Sequence, residues 1–285
     1  MFEYTLNIMN LNIRLETPFE VAICSESAPF VVTNANPYDL CIKFEEIDKL
    51  PLMPSDGIWV EDMYYTSFGG GPAVFIRNYP NLPPYAVLQK ANNVTRFYYL
   101  PDSGRRISET SSILNLIGLE KILLDNCGFL LHSSFIRYSG RGILFSAPCG
   151  TGKSTQADLW EKYRGSETLN GDRAGVRCVD GVWTSFGMPF AGTSGVYRNE
   201  SAPIAAIVTL AQGPDNTIRR LRPMEAVRNL LPECSCRRWD FGFMNAMLDL
   251  ILQLLQQIPV YLLECRPDEG AVNLLHDTLV KDGLL

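Results

Sequence analysis

Residues 142–155 read GILFSAPCGTGKST. A short apolar run, Ile143-Leu144-Phe145, feeds a loop of small residues that closes on Gly152-Lys153-Ser154-Thr155 and opens a helical pattern. The order matches the phosphate-loop (Walker A) pattern [AG]-x4-G-K-[ST], with Ala147 in the first slot. Each residue type answers a chemical need. Gly150 and Gly152 let the backbone curl so that successive N–H groups face one anion. The loop binds through that backbone, so Pro148, Cys149 and Thr151 contribute their main chain, and the helix that follows adds unpaired amides and a positive dipole end. Lys153 supplies a mobile point charge for the outer phosphates, Ser154 a hydroxyl ligand for Mg²⁺, and Thr155 completes the nucleotide-contacting run. Lysine is scarce here, seven residues in 285, so composition alone gives such a match in roughly one chain in a hundred. The expected ligand is a nucleoside triphosphate.

The bulk composition bounds the setting. Hydrophobic residues make up 46% and charged residues 20% of the 285, the profile of a soluble globular protein with room for one large domain or two ordinary ones. A net charge of -6 argues against nucleic acid as the main partner. No run approaches the ~20 apolar residues that span a bilayer. The opening MFEYTLNIMNLNIRLE lacks the basic start and apolar core of a signal peptide. Eight cysteines without framework spacing suit a reducing, cytoplasmic location. The one tight pair, Cys234-Ser-Cys236, has no second pair or histidine near it and reads as two thiols at a helix end.

Around the loop the chain divides. Residues 1–105 read as a β-rich domain of short alternating or aromatic segments (4–15, 40–44, 58–65, 73–78 and 95–100) separated by turn clusters such as 69–71 and 101–104. The glycine triplet at 69–71 reads as a hairpin loop. Residues 106–285 read as an α/β nucleotide-binding domain. One broad helical face over 108–128 carries an interior Gly118, and a buried strand, FLLHSSFIR over 129–137, forms a hairpin with the strand entering the loop. A short strand ends at Asn170-Gly171-Asp172, and Asp180-Gly181 turns a further hairpin. The run PIAAIVTL, 203–210, is a strand covered on both faces.

Phosphoryl transfer needs more than a loop: a metal ligand or base, and positive charge for the transition state. Three acids stand at strand ends. Asp180 sits in a tight Asp-Gly turn and Glu264 lies far along the chain, so Asp172 is the candidate. His132, one of two histidines, sits in the strand paired with the loop strand, and His276 reads as a surface residue on the last helix. Further positive charge is available at Arg173, Arg198 and the Arg219-Arg220-Leu221-Arg222 cluster.

The succession LHSSFI, GILFSAPCGTGKST, LNGDR, GMPFAGTS and PIAAIVTL resembles the HPr kinase/phosphorylase-related group, over roughly residues 128–212. The resemblance implies the phosphoenolpyruvate carboxykinase-like P-loop fold, an α/β core with a mixed sheet, here carrying a β-rich N-terminal region. It implies that His132 and Asp172 flank the γ-phosphate as catalytic residues beside Lys153, with Ser154 on Mg²⁺ and Asp172 either on Mg²⁺ or taking the proton of the acceptor hydroxyl. It further implies an ATP-dependent kinase whose acceptor is a serine hydroxyl on a protein or peptide, docked by the N-terminal domain. Three features depart from the group. Asp172-Arg173 stands where HPr kinases have two adjacent acids, the phosphorylase signature is absent, and the N-terminal region differs. A nucleotide-binding regulatory module without efficient transfer and a small-molecule phosphotransferase are the alternatives.

Overall fold

The alternation in residues 4–15 makes a hairpin, where its pattern alone suggests one continuous segment. In the computed structural model, which describes residues 1–33, 37–91, 94–101 and 103–285, strands β1 (Phe2–Ile8) and β2 (Leu11–Thr17) pair antiparallel. Met9 and Asn10 form the turn at φ 54° and 60°. Positive φ at both positions is the type I′ turn of a two-residue hairpin, which asparagine accepts readily and methionine does not. The Met9 side chain is almost fully buried. That burial contributes about 1.5–3 kcal/mol, enough to offset the roughly 1–2 kcal/mol of left-handed backbone.

The first of two compact units, Met1–Gly118, adds β3 (Val31–Val32), β4 (Leu40–Glu46), β5 (Ile58–Val60), β6 (Met63–Phe68), β7 (Gly71–Ile76), β8 (Ala86–Ala91), β9 (Val94–Tyr99) and helix α1 (Thr110–Leu116). Its sheet runs β3-β1-β2-β4-β9-β8-β7-β6-β5. Neighbours are antiparallel except that β4 lies parallel to both β2 and β9. Gly69 and Gly70, at φ 60° and 85°, turn the β6–β7 hairpin. Asp102, in the expected 101–104 turn, lies outside the described residues. The helical face expected over 108–128 is interrupted at Gly118, whose φ of 68° cannot continue a helix. Helix α2 (Leu119–Asp125) opens the second unit, Leu119–Leu285.

The second unit is α/β with a mixed sheet. Its strands are β10 (Gly128–Tyr138), β11 (Arg141–Ser146), β12 (Glu167–Asn170), β13 (Arg173–Val179), β14 (Val182–Phe186), β15 (Ser201–Gln212), β16 (Thr217–Arg220) and β17 (Val260–Cys265). Its further helices are α3 (Lys153–Arg164), α4 (Pro223–Leu230), α5 (Phe241–Leu255) and α6 (Glu269–Lys281). The order is β11-β10-β13-β14-β15-β17-β16, with β11 also pairing β15. Two long strands serve two sets of partners. β10 pairs β13 through residues 128–132 and β12 through 135–137 along one edge and β11 through 133–138 along the other, and β15 leaves β14 at Pro203 to lie parallel between β11 and β17.

Both faces of this sheet are covered. Phe135, Leu144 and Ile207 point to one core with Met247, Ile251 and Leu254 of α5. Their neighbours Ile136, Ile143, Phe145 and Val208 point to the other, with Trp160 of α3 and Leu275 of α6. Successive side chains on a strand face opposite ways, so a sheet covered twice needs unbroken apolar runs. That is why 143–145 and 204–208 show no alternation. Trp160 is fully buried, its ring 5.5 Å from Tyr138 and 6.4 Å from Phe145. Trp160→Ala should destabilise the second unit by about 3–5 kcal/mol, read as a lower denaturant midpoint. Trp160→Phe should cost clearly less, since it also removes a buried indole N–H without a hydrogen-bond partner.

Candidate functional site

The place where β11 joins β10, opposite the break between β12 and β13, gathers the polar residues. His132 is the last residue of β10 opposite β13, facing Arg173, and Ser133 is the first opposite β11, facing Ser146. The chain therefore leaves β11 into the loop on one side of His132, and enters β13 from Asp172 on the other. Two hydrogen bonds fix the junction: Ser146 Oγ donates to the His132 carbonyl at 3.0 Å, and the Ser133 N–H donates to the Asp172 carbonyl at 3.0 Å.

The loop from Ala147 to Gly152 joins β11 to α3. Gly150 and Gly152 lie at φ 79° and 112°, and a Cβ on either would meet nothing within 4 Å. Backbone conformation, not crowding, asks for glycine there. Pro148, Cys149 and Gly150 are exposed on the crest, with Thr151 and Gly152 half-buried and Ser154 and Thr155 exposed in the first turn of α3. The first amides of an α-helix have no intrahelical partner. Lys153 folds back instead of reaching out: its Nζ donates to the carbonyls of Ala147 (2.7 Å) and Pro148 (3.2 Å). Burial pulls the Lys153 ammonium below its ordinary pKa, while the charges of Glu233, Cys149 and Asp172 oppose that shift.

Asp172 is held by a buried asparagine. Asn170 accepts from the N–H groups of Asp172 (3.1 Å) and Arg173 (2.8 Å) and donates to the carbonyls of Met188 and Phe190. The segment after Phe190 closes against the turn, for a Cβ on Gly192 would stand 2.7 Å from the Asp172 side chain. The Asp172 carboxylate, about one-third exposed, has His132 Nε2 at 3.8 Å and Arg173 Nε at 3.7 Å.

One participant was not legible in the sequence. Glu233, at the end of a short 3-10 turn (Leu231–Glu233) behind α4, places Oε2 2.9 Å from His132 Nδ1. It is 101 residues from its partner, and nothing in Leu-Pro-Glu-Cys announces a site. Cys234 anchors the turn: it bridges Leu131, its thiol donates to the Leu230 carbonyl, and burial raises its pKa well above the usual range. Cys236 is likewise pushed up to about 11 by burial. The Cys-Ser-Cys pair thus packs the support of Glu233, and among the described residues no group of three His, Cys, Asp or Glu is placed to hold a metal.

Other candidates lie apart. Arg198 pairs with Glu200 (3.9 Å), which also holds Arg137, and Arg219 pairs with Glu225. Asp180 turns the β13–β14 hairpin at φ 49°. Glu264 packs under Gly213. His276, expected at the surface, is half-buried against the Tyr138 and Trp160 rings.

On the other flank of the loop, a crevice of about 430 Å³ is lined by Thr151, Thr155, Gln156, Gln212, Gly213 and Arg266, among others. It lies beyond the carboxyl ends of the parallel strands β15 and β17, where open α/β sheets bind ligands. Gln212 reaches the loop itself, donating to the Gly150 carbonyl at 3.4 Å.

No protein-family model matches the chain, and no curated protein matches it. Among solved structures, the Hpr(Ser) kinase/phosphatase from Coxiella burnetii matches at 11% identity with a TM-score of 0.33, covering 54% of this chain and 98% of that one. The likeness is weak. No helix among the described residues is long and apolar enough to cross a membrane.

Asn170 is the residue on which the Asp172 turn depends. Asn170→Ala leaves two turn amides and two carbonyls without that partner and should cost about 2–3 kcal/mol, measured by chemical unfolding. Asn170→Asp should be no milder despite its shape, because a carboxylate offers no donor to the Met188 and Phe190 carbonyls.

Proposed function

We propose that the chain is an ATP-dependent, Mg²⁺-requiring kinase of the HPr kinase-like group, with a phosphoenolpyruvate carboxykinase-like P-loop core, that phosphorylates a serine hydroxyl on a protein or peptide. One observation carries the reading: β10, with β11 on one edge and β12 and β13 on the other, sets the glycine-rich loop and Asp172 on either side of His132. A loop alone implies binding. A loop facing a held carboxylate and an imidazole has what transfer requires.

In this reading the backbone of residues 147–152 and the first amides of α3 cradle the phosphates, and the crevice beside the loop takes the nucleoside. Lys153 exchanges its loop carbonyls for phosphate oxygens. Ser154 and Asp172 are hard oxygen donors and suit Mg²⁺, which takes one or two protein ligands and completes its shell with phosphates and water. When bound, Mg²⁺ supplies charge neutralisation for the leaving nucleotide. The acceptor oxygen forms its bond to the γ-phosphorus as the β–γ bridging bond breaks, ADP leaves with that bond's electron pair, and the hydroxyl proton passes to a group of the protein. Arg173 beside Asp172 adds positive charge at the same edge.

A second reading has its own support. Lys153 is engaged with its own loop, and an arginine follows the single acid. Both fit a module that binds nucleotide and signals without efficient transfer.

Two variants separate the readings. Lys153→Ala should weaken MgATP binding by about tenfold or more, measured by calorimetry; unchanged affinity would remove the nucleotide reading altogether. Asp172→Asn should hold MgATP within about threefold of the unaltered chain while labelled-phosphate transfer to candidate acceptor proteins drops by about 10²-fold or more. Normal transfer by Asp172→Asn would overturn its assignment, and tight MgATP binding without transfer to any acceptor would favour the regulatory module.

A further inference from the structure

A transfer site needs both a ligand for the metal and an acceptor for the hydroxyl proton, and Asp172 is followed by Arg173, not by a second acid. The group across from Asp172 is His132, and the geometry says how it is held. Its Nδ1 stands 2.9 Å from Glu233 Oε2, a hydrogen-bond distance, whereas its Nε2 stands 3.8 Å from Asp172 Oδ1, which is beyond one. An ionised carboxylate only accepts. The hydrogen in the shorter contact therefore belongs to Nδ1, and in the neutral ring Nε2 carries a bare lone pair.

We infer that Glu233 is a positioning residue that locks His132 in the Nδ1–H form with Nε2 turned toward Asp172, so that His132 accepts the proton of the substrate hydroxyl and Asp172 is left to the metal. The assignment of roles rests on the kinase reading; the Glu233–His132 arrangement does not. Two acceptors facing each other across 3.8 Å suit a ligand that brings a cation to the carboxylate and an O–H to the nitrogen. The balance is simple: the O–H bond breaks, its electron pair goes to the new P–O bond, and the proton forms an imidazolium whose second N–H already points at Glu233.

The mounting is rigid on both sides. The His132 backbone is paired to Arg173, and its carbonyl accepts from Ser146. Glu233, its side chain 13% exposed, follows Pro232 in the 3-10 turn and precedes the Cys234 bridge to Leu131. The next residue continues the attachment, the Ser235 N–H donating to the Leu130 carbonyl at 3.0 Å. The carboxylate is thus fastened to the same strand that carries the imidazole, two residues and fewer away. Orientation of an imidazole by a carboxylate on its far nitrogen is a recurrent device for keeping the reactive nitrogen unprotonated.

The chain has two histidines, which makes the test direct. Multiple-bond ¹H–¹⁵N spectra of the full chain, taken where both imidazoles are neutral and assigned with His132→Gln, read the tautomer of each ring. His132 should show protonated Nδ1 and bare Nε2. Glu233→Ala should lose that preference, and Glu233→Gln should keep it, because the amide oxygen still accepts from Nδ1–H. Phosphate transfer should fall by about 10²-fold in Glu233→Ala with MgATP affinity unchanged, and Glu233→Gln should recover part of it. An Nε2–H tautomer in the unaltered chain, or one insensitive to Glu233→Ala, overturns the arrangement. Unimpaired transfer by Glu233→Ala overturns the role of the pair. If the unaltered chain phosphorylates nothing, the kinase reading and the proton-acceptor role fail together, and the spectrum separately decides whether Glu233 sets the ring.

Discussion

The pairing of β10 along both its edges is the constraint on which the second unit depends. Because β11 pairs one edge of β10 from Ser133 onward while β12 and β13 share the other edge across a break at Gly171-Asp172, two excursions of the chain start side by side: the loop after Ser146 and the turn before Arg173. Register enforces the chemistry. A slip of one residue in β10 would move His132 to the other face and turn Phe135 and Ile136 out of their separate cores. The apolar residues that bind the sheet to α3 and α5 therefore also hold the imidazole where it is, and the packing free energy of two cores stabilises one polar junction.

That junction is costly, and the structure offsets the cost locally. Lys153 and Asn170 are both buried, and each finds main-chain partners: loop carbonyls for the ammonium, two amides and two carbonyls for the amide. A buried polar group without partners costs about 1–3 kcal/mol, so these bonds are a condition of folding as much as of function. For Asn170 the two demands coincide. For Lys153 they compete, since a lysine that serves phosphate must give up carbonyls that now solvate it. Exchange is feasible because the lysine can rotate its ammonium between acceptors without moving the helix.

The loop, its two conformationally required glycines and the following helix stand in GILFSAPCGTGKST because local backbone geometry selects residue types directly. The β10–β11 hairpin was legible for the same reason, through Ser139-Gly140 and two apolar runs. Three things were not. The break at Gly118 hides inside a helical face whose periodicity survives it. The Met9-Asn10 turn depends on burial of Met9, a tertiary effect that overrides local preference. Glu233 reaches the site only because a turn behind α4 is fastened to β10 by Cys234 and Ser235, and no spacing rule connects residues so far apart.

Charge explains why these groups belong together. Lys153 and Arg173 oppose Glu233 and Asp172, so with a neutral imidazole the junction balances by itself and does not repel its own parts. In the proposed kinase the balance would fail when a triphosphate enters, since the phosphates bring more negative charge than one lysine and one half-exposed arginine offset. In the proposed kinase a divalent cation would restore it, with Ser154 and Asp172 as the oxygen donors. The same reasoning separates the two carboxylates. Asp172, about one-third exposed and held by a turn, is available to a cation from solution, whereas Glu233 is largely covered and already committed to an imidazole N–H. In the proposed roles, burial rather than residue type divides the labour between them.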